Sequence, residues 1–99
     1  MPTLMARSKI KAEHVAELDA AINAVFKALD QRQPAGVRYA LCRLADGVTY
    51  VVVVSLDEGI ENPIPALAEY QKLQEGLKTW LAEQPSTDQL TVVGSYRLF

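Results

Sequence analysis

Cysteine and histidine are scarce in this sequence, with Cys42 and His14 the only examples of each. One cysteine excludes an internal disulfide bond. One cysteine and one histidine, with no HxxxH or CxxC spacing, also argue against a zinc site. Residues 1–11 contain no apolar stretch long enough for a secretory signal. We therefore expect a cytoplasmic protein that has neither a metal nor another cofactor.

Long hydrophobic runs and clusters of basic residues are missing as well. The longest apolar run, Tyr50–Val54, is far shorter than the roughly 20 residues of a membrane helix. Residues 1–43 carry seven Lys or Arg and four acids, whereas residues 44–99 carry three and eight. A chain without a basic run and with a pI near 5.3 is poorly suited to a phosphate backbone. We expect no membrane span and no nucleic-acid partner.

The residues that are present predict one globular domain covering residues 1–99. Hydrophobic residues make up 49% of the chain and charged residues 22%, proportions that are typical of a folded protein. A chain of 99 residues buries only about 60 to 65% of its unfolded surface. Its core is therefore modest, and association with a second chain would help to stabilise it.

Two segments have the hydrophobic period of an α-helix. The first begins near Glu13, ends near Gln31–Gln33 before Pro34, and has apolar residues spaced 3, 4, 3 and 4 apart. These residues are Val15, Leu18, Ile22, Val25 and Leu29. The second opens at Asn62-Pro63 and ends near Pro85, with Gly76 interrupting its apolar stripe. Because glycine costs about 1 kcal/mol in a helix, we expect a close backbone contact or a bend at Gly76.

Four segments have the features of β-strands. Residues 3–8 alternate, and residues 37–44 and 48–56 flank Asp46-Gly47, a turn in which positive φ is expected at both residues. This turn pairs Arg43 with Tyr50, and it pairs Tyr39 with Val54. A fourth strand is predicted to run to the C-terminus through alternating apolar positions. Those positions are Leu90, Val92, Gly94, Tyr96 and Leu98.

The order βαββαβ predicts a ferredoxin-like α+β fold. Right-handed crossovers give an antiparallel sheet in the order 4-1-3-2 with both helices on one face. The run Val51–Val54 then lies in a central strand, and it is apolar on both faces. Two helices can cover only one face. We expect a second copy of the chain to cover the other, giving a homodimer.

The chain resembles the dimeric α/β-barrel superfamily, and within it the antibiotic-biosynthesis-monooxygenase-like group. The resemblance lies in the βαββαβ order, in Lys9–Glu13, and in Gly36–Leu41, which is similar to a Gly-x-x-Tyr-x-Leu second strand. It implies paired sheets that form a barrel and a small cavity between sheet and helices. Members include oxygenases without metal or flavin, isomerases and haem-degrading enzymes. This chain lacks an Asn in strand one, which argues against haem degradation.

Several side chains are candidates for lining a ligand site. Tyr and Trp combine a ring with a polar tip, Arg43 opposite Tyr50 could hold an anion, and Asn62 could orient a ligand. The candidates are Tyr39, Tyr50, Tyr70, Trp80, Arg43 and Asn62. The alternatives are core and interface packing for the aromatic residues, an extended surface position for Arg43, and helix capping or turn formation for Asn62.

His14 and Cys42 are weaker candidates. No partner for His14 as an acid or base is evident, so we interpret it as a surface or rim residue. Cys42 has apolar predicted neighbours, and we interpret it as a small buried hydrophobic residue rather than a nucleophile.

Two other classes share the predicted layout. Residues 46–51 faintly resemble an RNA-recognition motif but lack its basic residue and its second aromatic residue. Amino-acid-binding regulatory domains usually have a glycine between strand one and helix one, and Lys9–Glu13 has none.

The sequence favours a homodimer that binds a small apolar or aromatic molecule between sheet and helices. Two alternatives stay open. One is a cofactor-independent monooxygenase-like enzyme acting on an aromatic substrate, and the other is a non-catalytic dimerisation or interaction module.

Overall fold

The computed structural model describes residues 3–98 and has the element order strand, helix, strand, strand, helix, strand. Its elements are β1 (Thr3–Lys9), α1 (Val15–Arg32), β2 (Val37–Arg43), β3 (Thr49–Leu56), α2 (Ala68–Trp80) and β4 (Ser86–Leu90). A one-turn 3-10 helix precedes each α-helix, at Ala12–His14 and at Ile64–Ala66.

The four strands form one antiparallel sheet in the order β2-β3-β1-β4. This is the predicted order read from the opposite edge, and it confirms the ferredoxin-like α+β fold. As expected from its apolar run, β3 is central, pairing with β1 on one side and with β2 on the other. None of the helices within residues 3–98 is long and apolar enough to cross a membrane.

The two faces of the sheet have different surroundings. The inner face carries Tyr39 and Tyr50, which pack with Leu18 and Val25 of α1 and with Leu73 of α2. The outer face is the side turned away from both helices. By strand register it comprises Met5, Ala40, Cys42, Val51, Val53 and Leu90, together with polar residues at the strand ends.

The outer face is only partly covered within residues 3–98. Ala40 and Cys42 are exposed, and Val51 and Val53 are half-buried. Cys42 was expected to be buried, and that expectation is wrong for one copy of the chain, because both helices lie on the opposite side of β2.

The β2–β3 hairpin has the predicted register, with Arg43 opposite Tyr50 and Val37 opposite Leu56. The turn differs from the prediction because only Gly47 has a positive φ, of +80°. The Asp46 carboxylate instead accepts hydrogen bonds from Thr49 Oγ1 at 2.6 Å and from the backbone N–H groups of Val48 and Thr49 at 3.0 and 2.9 Å. These bonds stabilise the turn without a left-handed conformation at Asp46.

The second helix is shorter than predicted at both ends. The chain leaves helical geometry at Leu67, with φ −74° and ψ 131°, and the side chain of Leu67 is buried in the core. At the other end, Leu81 is extended and forms a bridge with Ile10. Core burial and strand-like pairing therefore replace the outer turns of the predicted helix.

The fourth strand was predicted over Leu90–Leu98, whereas β4 spans Ser86–Leu90 and shares only Leu90 with that prediction. Residues 91–98 have no strand structure and are exposed. At the end of β4, Leu90 pairs with Thr3, the first described residue of β1. Beyond Leu90, the described part of the chain supplies no strand for continued pairing.

Gly76 has a close neighbour, but it is a side chain and not the backbone that was expected. A Cβ atom at Gly76 would overlap three carbon atoms of the Trp80 ring. The ring of Trp80 therefore packs over the helix backbone one turn earlier, where only glycine leaves room for it.

Candidate functional site

A cavity of about 430 Å³ lies between the inner face of the sheet and the two helices. Every layer contributes to its wall, including Ala6 of β1, Leu41 of β2, Val52 of β3, Ile22 of α1 and Leu77 of α2. The volume is within the range of about 300 to 1,000 Å³ that is typical of small-molecule sites. The wall is mainly apolar, so the cavity suits a ligand with little charge.

Three of the six candidate residues, Tyr39, Tyr50 and Tyr70, line this cavity. They come from β2, β3 and α2, so the fold brings together side chains that are well separated in sequence. Trp80, Arg43 and Asn62 are not among the lining residues. No side chain within residues 3–98 belongs to a group of three or more His, Cys, Asp or Glu suited to a metal ion.

The side chain of Tyr39 forms part of the cavity wall and is uncharged at physiological pH. Burial raises the pKa of its hydroxyl to about 12, and the neighbouring Tyr70 adds to the effect. Its ring stacks on Phe26 of α1, with the ring centroids 5.2 Å apart. Because Tyr39 also borders a smaller surface pocket on the Phe26 side, its ring separates the two spaces.

Tyr50 anchors a polar cluster beside the cavity. Its hydroxyl donates a 2.6 Å hydrogen bond to Asp19 Oδ1, and Arg43 donates to Asp19 Oδ2 over 2.8 Å. Arg43 also makes a longer, 3.5 Å contact with the Tyr50 oxygen. Burial, followed by the hydrogen bond to Asp19, raises the pKa of Tyr50. The phenol therefore stays protonated at neutral pH.

Asp19 is the residue in this cluster that the sequence did not reveal. It lies on α1 next to the buried Leu18, and its partners are 24 and 31 residues away along the chain. The hairpin register had placed Arg43 beside Tyr50, but nothing in the helical pattern linked either residue to Asp19. In this cluster the guanidinium group of Arg43 is therefore paired with a carboxylate of the same chain, that of Asp19.

The remaining polar groups of the wall include Ser8, Gln74, Lys78 and Thr87. The ammonium group of Lys78 lies 3.1 Å from Glu75 Oε2, in an exposed pair on α2. The cavity thus combines neutral hydroxyl and amide groups with one paired cation.

The other candidates have structural contacts away from the cavity. Asn62 Oδ1 accepts a 3.0 Å hydrogen bond from the Ile64 N–H two residues later, so its side chain forms a turn just before the 3-10 helix. Trp80 lies beside His14, with ring centroids 6.5 Å apart, and His14 Nδ1 is 2.8 Å from Glu17 Oε1. The ring contact between Trp80 and His14 joins the start of α1 to the end of α2.

Comparison with solved structures finds the same fold in several proteins. An antibiotic biosynthesis monooxygenase superimposes with a TM-score of 0.76 at 14% identity, over 95% of this chain and 100% of that chain. Rv0793 from Mycobacterium tuberculosis gives 0.73 at 19% identity, over 95% and 96%. SnoaB from Streptomyces nogalater, a cofactor-independent oxygenase, gives 0.68 at 20% identity, over 97% and 96%.

These matches establish the class of fold to which the chain belongs. It has the ferredoxin-like α+β architecture found in structures of the antibiotic-biosynthesis-monooxygenase type, as the sequence resemblance implied. No family model matches the sequence, and no curated protein matches it. Since the solved structures are at most 20% identical in these comparisons, they show the fold alone.

Proposed function

We propose that this protein is a cytoplasmic, single-domain homodimer that binds a small neutral molecule, apolar or aromatic, between sheet and helices. The observation that carries the proposal is the 430 Å³ cavity with a mainly apolar wall and three tyrosines. Aromatic rings pack favourably against tyrosine rings, and the neutral hydroxyls can hydrogen-bond a polar substituent. A charged ligand would lose its hydration without gaining an unpaired counter-ion.

The homodimer is supported by the outer face of the sheet. Val51 and Val53 of the central strand are half-buried there, beside the exposed Ala40 and Cys42. A second copy that places its own outer face against this one would remove both apolar surfaces from water in a symmetric interface.

A neutral fluorescent probe tests the binding proposal. N-phenyl-1-naphthylamine fluoresces more strongly in apolar surroundings, and we expect saturable binding with one probe per chain. Ala6→Leu fills the middle of the cavity and should weaken binding at least tenfold. Leu77→Phe reduces the cavity volume from the α2 side and should also weaken probe binding.

The matched control is Ala24→Leu, which adds the same atoms at an exposed position of α1. We expect it to bind the probe like the unchanged protein, and circular dichroism should show that all variants are folded. Equal binding by folded Ala6→Leu and Leu77→Phe variants would show that the probe binds elsewhere and would contradict the proposal.

A second candidate function is cofactor-independent oxygenation of an aromatic substrate. It is supported by the shared fold of SnoaB, which is described as a cofactor-independent oxygenase. Oxygen uptake with a dihydroxynaphthalene in chelator-treated buffer tests it. Uptake that depends on the protein and is lost in Ala6→Leu would favour catalysis. Saturable probe binding without oxygen uptake would favour a binding protein. If the protein neither binds the probe nor takes up oxygen, the non-catalytic interaction module is the function that remains.

A further inference from the structure

A second, smaller pocket lies at the surface where α1 ends and β2 begins. Its volume is about 270 Å³. The wall is formed by Phe26 and Asp30 of α1, by Gln33 and Pro34 of the connection, and by residues of β2 that include Tyr39. We call it the α1–β2 pocket. Because the ring of Tyr39 separates it from the cavity between sheet and helices, a ligand in one space does not occupy the other.

Backbone geometry at the end of α1 shapes this pocket. Gln33 has a left-handed conformation, with φ 46° and ψ 56°, and its N–H donates a 2.7 Å hydrogen bond to the carbonyl of Leu29. The chain therefore turns out of the helix, and Pro34 prevents the helix from continuing. Further along, the Gly36 carbonyl accepts a 2.8 Å hydrogen bond from the N–H of Asp57. Hydrogen bonds at both ends of the connection hold the rim of the pocket in place.

Asp30 gives the α1–β2 pocket a negative charge. It is the one charged side chain among the lining residues. Its carboxylate has no ion pair within residues 3–98, whereas the carboxylates of Asp19 and Asp57 are each paired with an arginine. Lys27 and Arg32 are neighbours on α1, but both are exposed and neither lines the pocket. A cationic ligand in the pocket therefore gains a counter-ion without breaking an existing ion pair.

The end of α1 adds to this negative potential. The peptide dipoles of a helix leave partial negative charge on the carbonyl groups of its last turn. In α1 the carbonyl of Leu29 accepts the bond from Gln33, and the carbonyls of the next three residues have no N–H of the helix as a partner. The pocket borders this end of the helix, because Leu29, Asp30 and Gln33 all line it. The helix end and the carboxylate thus both favour a cation.

Two aromatic rings supply an apolar part of the wall. Phe26 and Tyr39 stack with their ring centroids 5.2 Å apart and their planes inclined by 27°. Aromatic rings pack against hydrocarbon and also attract cations, so they suit an ammonium ion that carries an apolar group. Burial raises the pKa of Tyr39 to about 12, and its hydroxyl therefore remains neutral. Asp30 is then the single anionic side chain of the wall, which matches a ligand with one positive charge.

The size of the pocket limits the ligand to a small amine. At about 30 Å³ for a water-sized group, 270 Å³ corresponds to about nine non-hydrogen atoms. This number fits one ammonium group joined to a single aromatic ring or to a short alkyl chain. A polycyclic molecule is too large for the space, and an anion is disfavoured by the charge of Asp30.

We propose that the α1–β2 pocket binds a small organic monoamine as its ammonium ion. The ammonium group lies beside the carboxylate of Asp30 at the end of α1, and the apolar part of the ligand packs against Phe26 and Tyr39. This site differs in position and in ligand charge from the cavity between sheet and helices, whose proposed ligand is neutral. It goes beyond the proposed function and does not depend on binding in that cavity.

NMR titration of 15N-labelled protein with 2-phenylethylammonium and 2-phenylethanol tests this site. The probes have the same number of non-hydrogen atoms, but the alcohol is neutral. We expect the amine to cause saturable shifts of the backbone N–H signals of Gln33 and Val37, and the alcohol to bind about three to five times more weakly, the upper range for an exposed ion pair. Asp30→Asn should weaken amine binding by the same factor and change alcohol binding by less than about twofold.

Two further variants complete the titration. Asp88→Asn makes the same chemical change on the exposed strand β4 and should leave the binding of both probes unchanged. Phe26→Leu removes a ring from the pocket wall and should weaken both probes at least threefold. The dispersion of the N–H spectrum shows in the same experiment that each variant is folded.

The outcomes separate the amine site from the proposed function. Equal affinity for the two probes, or an Asp30→Asn variant that binds the amine like the unchanged protein, would overturn the amine site. The absence of saturable shifts at about 20 mM amine would also overturn it, as would shifts confined to residues of the larger cavity such as Leu41 and Val52. Shifts at Gln33 and Val37 in a protein that does not bind N-phenyl-1-naphthylamine would overturn the proposed function and leave the amine site standing.

Discussion

The Tyr50 hydroxyl donates a 2.6 Å hydrogen bond to the Asp19 carboxylate and thereby joins the centre of the sheet to α1. Tyr50 is 6% exposed, and its ring forms part of the cavity wall. Because Arg43 binds the other oxygen of the same carboxylate, Asp19 holds two partners from neighbouring strands in place. The cluster fixes the position of the Tyr50 ring, and with it the shape of one end of the cavity.

Removing this hydrogen bond should cost measurable stability. We expect Tyr50→Phe to lower the free energy of unfolding by about 1 to 2 kcal/mol, since a bond to a charged acceptor is lost. The urea midpoint measures the change. Tyr96→Phe is the matched control at an exposed position and should stay within about 0.5 kcal/mol. If the two substitutions have the same effect, the Tyr50–Asp19 bond does not stabilise the fold.

Replacing Gly76 should be unfavourable even though alanine is the better helix former. Alanine would gain about 1 kcal/mol by helix propensity, but its Cβ atom would overlap the Trp80 ring. We expect Gly76→Ala to lower the thermal midpoint and to shift the emission of Trp80, the only tryptophan.

A double-mutant cycle isolates the cause of that effect. In a Trp80→Leu background, Gly76→Ala should recover its helix-propensity gain and stabilise the protein relative to Trp80→Leu alone. The packing of the ring over Gly76 would be contradicted if Gly76→Ala were stabilising in the unchanged background and left the emission spectrum as it was.

The hairpin turn should make stability sensitive to acid. The hydrogen bond from the Thr49 hydroxyl, followed by the N–H groups of Val48 and Thr49, lowers the pKa of Asp46 to about 2. The folded state therefore binds fewer protons than the unfolded state between about pH 4 and pH 2. The stabilisation from the ionised carboxylate is complete above this window and is lost as the pH falls through it.

Urea unfolding at a series of pH values measures this contribution. Asp46→Asn should be less stable than the unchanged protein above pH 4, and the difference should shrink towards pH 2. Asp88→Asn, on the exposed strand β4, is the control and should not produce that convergence. Parallel stability curves for Asp46→Asn and the unchanged protein would show that the turn does not depend on the ionised carboxylate.

Local pattern and turn chemistry predicted most of the fold. The period of α1 and the Asp46-Gly47 turn were sufficient for the first helix and for every pair of the β2–β3 register. The prediction was wrong where an element needs a partner beyond its own sequence. The alternation after Leu90 indicates a strand, but a strand forms only beside another strand, and the last pair between β4 and the described part of β1 is Leu90 with Thr3.

The candidate site was predictable in part for the same reason. Tyr39 and Tyr50 were placed on one face by the hairpin register, and the structure puts that face towards the helices. Asp19 was missed because its contacts depend on how α1 crosses the sheet, which the helical period does not encode. Trp80 has the spacing of the helix stripe, yet its ring turns back over Gly76 and away from the cavity wall.

A crystal structure grown with N-phenyl-1-naphthylamine shows whether the space between sheet and helices receives a small neutral molecule. We expect density for the probe in the cavity, with its rings beside Tyr39, Tyr70 and Leu77. Density for the probe only on the outer face, with the cavity filled by rearranged side chains, would contradict it.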